Sequence, residues 1–237
     1  MAPGPLRNRE LVEKRRVIMK IESHINAADV IEVVHSRLDL GKELLDHSEW
    51  RRARPIKLTQ YWSGEPAPMA RHAEARIIWT DLALFARFDC SQNEPLVISS
   101  SPQTSKKTIG LWDRDVCEVF LAPDTAEPSC YFEFEVAPTG EWIDLAIHVT
   151  PTGRETDWEF HSGMTTATSV SKERVVMAMN IPWDDWIHKP TRGEQWRVNL
   201  FRCVGQGKRR GYLTWRPTRT PEPSFHVPQA FGWLRFG

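Results

Sequence analysis

Three glutamates and a tryptophan near the middle of the chain have the types and spacing that sugar recognition requires. Glu118 lies in the segment DVCEVFLAP, and Trp112 stands shortly before it. Glu133 and Glu135 lie in the segment CYFEFEVAP. An indole ring offers a flat face for the C–H groups of a sugar ring, and carboxylates accept hydrogen bonds from the hydroxyl groups of its rim. These residues therefore predict a sugar-compatible surface.

The alternation of side chains along a strand predicts where these groups point. Successive side chains of a strand lie on opposite faces, so Glu118 points away from the face that carries Cys117. Glu133 and Glu135 point away from the two phenylalanines of their segment, which we assign to the core. If the two strands pair, the three glutamates line one concave, wetter face of the sheet beside Trp112. In the structural alternative, Glu118 pairs with a surface arginine and Trp112 closes the end of the core.

Composition and charge exclude several other classes of protein. The chain has 237 residues, with 31 Lys and Arg balanced by 31 Asp and Glu and an isoelectric point near 7.1. No basic field therefore attracts nucleic acid or anionic lipid. No segment approaches the roughly 20 apolar residues of a membrane span, so we expect no membrane partner. The 11 tryptophans are more than a core of this size needs, which suggests that some of them face a ligand.

The common catalytic motifs are missing from the sequence. The eight histidines are scattered, with no H-E-x-x-H pattern, and there is no P-loop, no Rossmann glycine pattern and no G-x-S-x-G. Cys90, Cys117, Cys130 and Cys203 are widely spaced, so we expect free thiols without a disulfide. The residues themselves therefore predict no cofactor.

Short apolar or alternating runs separated by turn residues predict an all-β fold, a two-sheet antiparallel β-sandwich of about ten strands. Short helical structure is expected only in the N-terminal part, around DLGKELLDHSEW (39–50). The predicted strands cover residues 73–79, 82–90, 115–123, 130–138, 142–149, 158–162, 173–183, 196–204, 212–217 and 232–237.

No linker or internal repeat divides these strands, so we predict one domain over residues 19–237. Residues 1–18 are charged and poor in apolar side chains, which predicts a disordered tail or a mis-assigned start. This segment lacks the apolar stretch of a secretory signal. We therefore expect a cytoplasmic protein, with secretion or a periplasmic location kept as the alternative.

Four segments, in this order, resemble carbohydrate-binding module family 9. They are LWDRDVCEVFLAPD (111–124), YFEFEVAPTGEWID (131–144), the stretch from VVMAMNIPWDDW to GEQWRVNLFR (175–202) and TWRPTRTPEPSFHVPQAFGWLRF (214–236). The resemblance is weak from about Asp39 and strong from Ala73 to the end. It implies an immunoglobulin-like β-sandwich that binds sugars without catalysis, often at the end of a xylan or cellulose chain, and that is commonly attached to xylanases in polysaccharide catabolism.

The resemblance also implies roles for individual residues. Trp112 matches an aromatic residue that stacks on one sugar face, Glu118 matches a glutamate that binds hydroxyl groups, and Phe225 matches a second aromatic residue that closes the other face. On the next strand, Glu135 and Ala137 replace an arginine and an asparagine of the family. This departure changes the polar contacts that the sugar would meet.

Asn199, Arg202 and His226 are candidate replacements for those polar contacts. Asn199 and Arg202 lie on one strand with opposite parity, so at most one of them is expected to serve the site. Structural calcium is known in the family, but its ligand loops have no clear match in this sequence. The prediction for cofactors is therefore a structural calcium ion at most.

Three functions stay open at this stage. The leading prediction is non-catalytic binding of a mono-, oligo- or polysaccharide chain end. A second is a glycoside hydrolase that uses Glu118 with Glu133 or Glu135, because hydrolysis needs two carboxyl groups about 5–5.5 Å or about 6.5–9.5 Å apart. A third is an interaction or scaffold domain with a degenerate sugar site. The identity of the sugar and the oligomeric state are left open.

Overall fold

The computed structural model describes residues 27–237, most of which lie in or between β-strands. Residues Ile31–Gly237 form one compact unit. The fourteen strands of the described residues, numbered β1 to β14 in chain order, are Val30–His35, Ile56–Leu58, Gln60–Tyr61, Ala73–Trp79, Ala83–Ser91, Val116–Ala122, Cys130–Val136, Trp142–Thr150, Gly153–Asp157, Thr165–Val170, Arg174–Pro182, Gln195–Val204, Gly211–Thr214 and Gly232–Phe236.

The helical segments of the described residues are all short 3₁₀ helices. They are Ala27–Asp29, Gly41–Glu43, Ser48–Arg52, Met69–Arg71, Leu111–Asp113, Gly207–Arg209 and Pro228–Ala230. Within residues 27–237, no helix has the length and apolar character needed to span a bilayer.

Backbone pairing divides the strands into two groups. In the first group the order is β10-β11-β5-β4, and both β1 and β2 pair with β4. In the second group the order is β14-β12-β6-β7-β8-β9, and β13 pairs with β12 and β3. The groups join where β1 neighbours β14. The strands therefore form one continuous sheet that curls into two layers.

The main core lies between the two groups of strands. Phe88 of β5 belongs to the same fully buried cluster as Val119 of β6 and Leu200 of β12. The two layers also meet at a pair of free thiols, because the Sγ atoms of Cys90 and Cys117 are 3.5 Å apart. Apolar side chains that alternate along each strand thus produce the expected two-layer packing.

A second hydrophobic cluster covers the opposite, outer face of β12, β6, β7 and β8. Phe120 and Phe201 project from this face with ring centroids 4.9 Å apart. Phe225, from the C-terminal segment, stacks on Phe201 at 4.0 Å, and Phe231 packs edge-on against Tyr131 at 5.3 Å. The C-terminal segment that carries Phe225 and Phe231 therefore covers the outer face. We call this segment the roof, and it positions the candidate site.

The prediction of an all-β fold is confirmed, as is the hairpin of β4 and β5, which pair in antiparallel register from Ala73↔Cys90 to Trp79↔Leu84. The expected number of about ten strands is too low, because short strands such as β2 and β3 carry too few residues to show a pattern. The antiparallel prediction is wrong at one place, since β1 runs parallel to β4. The immunoglobulin-like connectivity stays a prediction.

Two local predictions are wrong for identifiable reasons. The strand expected at residues 158–162 is a loop, because the Asp157 carboxylate accepts the backbone N–H groups of Glu159 and Phe160 and turns the chain. The helix expected at residues 39–50 is split into two 3₁₀ helices. At the split, His47 is extended and its Nδ1 atom accepts the N–H of Glu49. The predicted tail at residues 1–18 lies outside the described residues.

A pair of leucine variants tests the assignment of the core. Leu200→Ala removes a fully buried side chain from β12 and should lower the free energy of unfolding by about 2–5 kcal/mol, since it leaves a cavity. Leu82→Ala, at a position 64 % exposed, should change it by less than about 0.5 kcal/mol. Urea unfolding followed by circular dichroism measures both, and equal effects would contradict the assignment.

Candidate functional site

A cavity of about 430 Å³ opens on the outer face, between the sheet and its roof. Five of the residues predicted from sequence line it: Trp112, Glu118, Glu135, Phe225 and His226. Glu133, named above as a partner of Glu118 in hydrolysis, also lines it. The predicted aromatic and acidic side chains, which are far apart in sequence, are therefore brought to one place.

Two other predicted residues do not line this cavity. Arg202 points to the opposite side of β12, where its guanidinium donates to Oε1 of Gln92 at 2.7 Å and to the carbonyl of Arg71. Asn199 is fully buried and its amide donates to the carbonyl of Arg216 at 2.9 Å. Both side chains are occupied in holding neighbouring segments, so the expectation that one of them serves the site finds no support.

The lining residues that sequence reasoning did not single out include Arg154, Trp158, Arg210 and Tyr212. Trp158 lies in the loop that was expected to be a strand, and its ring centroid is 6.1 Å from that of Trp112. The surplus of tryptophan was the one indication of such a residue. Arg210 belongs to a run of basic residues that gives no sign of its partners.

The loop that carries Trp112 is held in place by two arginines. Gly110 begins it with φ of +79°, a left-handed conformation that glycine adopts readily. The Arg210 guanidinium donates to the carbonyls of Trp112, Asp113 and Arg114. Arg114 in turn pairs with the buried carboxylate of Glu141 at 2.9 Å. These contacts thus fix the backbone of the loop, while the Trp112 ring packs against the second hydrophobic cluster.

Strand register brings the three glutamates together. Glu118 of β6 lies directly opposite Glu135 of β7, and Glu133 is on the same face two residues away. One carboxyl oxygen from each of the three lies within 4.8 Å of the others. We call these three residues the acidic triad. The parity prediction is confirmed, but the expected wetter surface is wrong, because the second hydrophobic cluster and the roof bury all three side chains to 4 % exposure or less.

Burial of like charges shifts the protonation of the triad toward the neutral form. Burial raises the pKa of Glu118 to about 8, and the nearby charge of Glu133 adds to the rise. The pKa of Glu135 lies well above its ordinary value, because of burial first and then of repulsion from Glu118 and Glu133. Burial also raises the pKa of Glu133, against the effects of a hydrogen bond from the Glu135 carboxyl group and of the charge of Arg154.

His226 lies on the roof and faces the site, and its imidazole is uncharged. Its Nδ1 atom is hydrogen-bonded to the Tyr131 hydroxyl at 2.7 Å and lies 3.9 Å from a carboxyl oxygen of Glu133. Burial lowers the pKa of His226 to about 3, and repulsion by Arg154 contributes. The imidazole is therefore a polar contact without charge at neutral pH.

The acidic triad is incomplete as a calcium site. Calcium takes six to eight oxygen ligands, whereas the neighbouring lining residues Phe120, Leu145 and Ile147 offer apolar side chains. Among the described residues, no second group of three His, Cys, Asp or Glu brings its ligand atoms together. The structural calcium implied by the resemblance stays a prediction.

Comparisons with known proteins identify the family of the chain. The model of the carbohydrate family 9 binding domain-like family matches residues 44–236. The chain belongs to this family, which confirms the resemblance seen in the sequence.

Solved structures share the fold at low sequence identity. A Bacteroides uniformis protein to which carbohydrate binding is ascribed aligns with a TM-score of 0.69 at 18 % identity, over 88 % of this chain and 99 % of its own. A family 9 carbohydrate-binding module of Caldicellulosiruptor kristjanssonii, solved with glucose, aligns with a TM-score of 0.60 at 14 % identity, over 88 % and 95 %. The same kind of module solved with cellotriose gives 0.57 at 15 % identity, over 87 % and 93 %.

A curated relative is an extracellular protein of the fungus Arthroderma benhamiae. It is 24 % identical over 141 residues, which are 54 % of this chain. The match spans 62 % of the relative's length.

The raised pKa of Glu118 predicts a stability that falls as pH rises. The ordinary pKa is 4.5 and the folded-state pKa is about 8, so between these values the folded protein holds more protons than the unfolded chain. His226 acts with the opposite sign, but only below its ordinary pKa of 6.5. From about pH 6.5 to 8, the free energy of unfolding should therefore fall by about 1 kcal/mol per pH unit for each proton that the folded protein holds and the unfolded chain does not.

The matched test compares Glu118→Gln with the wild type by urea unfolding across this range. The variant should show a flatter pH dependence, since it removes one titrating group and its repulsion of Glu135. Glu155→Gln, at a side chain 75 % exposed, should keep the wild-type slope. A Glu118→Gln slope equal to that of the wild type would show that the triad does not titrate as described.

Proposed function

We propose that the protein binds carbohydrate without catalysis and that one sugar unit sits in the cavity over the acidic triad. The observation that carries this proposal is the juxtaposition of accessible indole rings with buried carboxyl groups in one cavity. Its volume of about 430 Å³ lies in the range of small-molecule sites. Membership of the carbohydrate family 9 binding domain-like family supports the same function.

Trp112 and Trp158 provide the stacking surfaces in this proposal. Trp112 is half-buried and Trp158 is 42 % exposed, and their planes are tilted by 47°. Phe225 is 8 % exposed and one of its faces already stacks on Phe201. It therefore acts as a wall of the cavity, while the two indoles meet the C–H faces of the sugar.

The polar contacts come from the triad and from His226. Apart from a proton shared between the two carboxyl groups, both carboxyl oxygens of Glu135 and one of Glu133 lack a hydrogen-bond partner among the described residues. A buried polar atom without a partner costs free energy, which a sugar hydroxyl would recover by donating to it. The bound sugar would thus complete hydrogen bonding that the protein leaves open.

The expected affinity is modest. Stacking on two rings that buries about 50–80 Å² per face contributes about 3 kcal/mol, and several hydrogen bonds at roughly 0.5–1.5 kcal/mol each add a similar amount. Association costs at least about 4 kcal/mol. Dissociation constants from about 10 μM to millimolar are expected.

Glucose and cellotriose are suitable first probes, because solved family 9 modules hold them. Isothermal titration calorimetry with each should give saturable binding to the full chain. Trp112→Ala should weaken it by at least about tenfold, since a stacked face is lost. Trp186→Ala removes an indole that is 65 % exposed and does not line the cavity, and it should bind like the wild type.

Other outcomes separate the alternative functions. Turnover of an aryl glycoside that is lost in Glu118→Gln would favour the hydrolase. Absence of heat with every sugar tested would contradict sugar binding and favour a scaffold role. Sugar binding unaffected by Trp112→Ala would place the site elsewhere on the molecule.

A further inference from the structure

The acidic triad places carboxyl oxygens without an N–H donor beside the cavity. Glu135 is fully buried, and apart from a proton shared with Glu133, neither of its carboxyl oxygens has a hydrogen-bond partner in the described part of the chain. One oxygen of Glu133 is likewise unpartnered. All three triad side chains line the cavity, so a ligand at its floor would lie beside these buried oxygens.

Arg154 and Arg210 line the cavity and lower the pKa values of triad carboxyl groups through their charge, but among the described residues no arginine or lysine forms a direct ion pair with the triad. Within residues 31–237, the nearest ion-pair contact is from His226 at 3.9 Å, and that ring is neutral and bonded to Tyr131. Arg210 also lines the cavity, but its guanidinium donates to four backbone carbonyls, among them those of Arg114 and Gly205. Arg154 lies at the exposed rim on β9.

We infer that the preferred ligand is a sugar carrying a protonated amino group, whose ammonium sits among Glu118, Glu133 and Glu135. This inference rests on the proposed function and names its ligand class. An ammonium has three N–H donors and no acceptor, which matches three carboxyl groups that offer only acceptors when ionised. Its bonds to carboxylates are about 2.7–2.9 Å long, and tetrahedral directions then separate the oxygens by about 4.6 Å. The triad oxygens lie within 4.8 Å of one another.

Charge favours an amino sugar over a neutral one. Burial and mutual repulsion keep the triad from ionising fully in the free protein, and a cation placed between the carboxyl groups relieves that repulsion. A hydroxyl group can donate one hydrogen bond but brings no charge. Trp112 and Trp158 meanwhile offer their faces to the ring of the sugar. The cavity therefore offers contacts both to the ring and to the ammonium group of an amino sugar.

The test is calorimetric titration of the full chain with D-glucosamine, D-glucose and N-acetyl-D-glucosamine at about pH 6.5. D-Glucosamine should bind at least about tenfold more tightly than D-glucose, because charge-assisted hydrogen bonds are stronger than neutral ones. N-Acetyl-D-glucosamine keeps the ring and nitrogen but loses the charge, so it should bind no better than D-glucose.

Variants then assign the preference to the triad. Glu135→Gln keeps the side-chain shape and should reduce the ratio of the two affinities by about tenfold, and Glu133→Gln provides a second variant if the first is unstable. Glu155→Gln, on the exposed edge of β9, should keep the wild-type ratio. Thermal melts establish that each variant is folded.

The outcomes distinguish the inference from the function on which it rests. Equal affinities for D-glucose and D-glucosamine would overturn the amino-sugar preference and leave sugar binding intact. Failure of every sugar to bind would overturn both. Calcium chloride that binds in a triad-dependent manner, with no preference among the sugars, would make the triad a cation site and also overturn the inference.

Discussion

The burial of three like carboxyl groups on one sheet face is the constraint on which the rest of the site depends. Cys117 and Val119 must point into the core between the layers, so strand alternation sends Glu118 to the outer face. The register of β6 and β7 then sets Glu135 directly against it. If the outer face were open to solvent, water would hydrate these carboxyl groups. The roof instead buries them, which raises their pKa values and leaves some of their oxygens without a hydrogen-bond donor from the protein.

The sheet and the loops supply different residues of the candidate site. The sheet provides the triad in a geometry fixed by backbone pairing, and the core behind it is continuous across both layers. Loops provide the two indoles and the cover: the Trp112 loop held by Arg210, the Trp158 loop after β9, and the C-terminal roof with Phe225. Ligand preference in such a design can change through loop residues, because they contribute little to the main core.

Sequence reasoning reached the elements whose patterns are local. Alternation in β6 and β7 was enough to place Glu118, Glu133 and Glu135 on one face, and their pairing followed. It failed where the outcome depended on distant segments. The burial of the triad comes from a roof about a hundred residues away, and Trp158 became a site residue because Asp157 turns the chain before it. Asn199 looked available in sequence, yet the carbonyl of Arg216 occupies its amide.

A crystal structure of the complex with glucose tests the central claim most directly, because it locates the sugar. We expect a pyranose ring inside the cavity, packed on Trp112 or Trp158. Its hydroxyl groups should lie about 2.5–3.0 Å from carboxyl oxygens of Glu118 or Glu135. A sugar bound on another surface, with only water over the acidic triad, would contradict it.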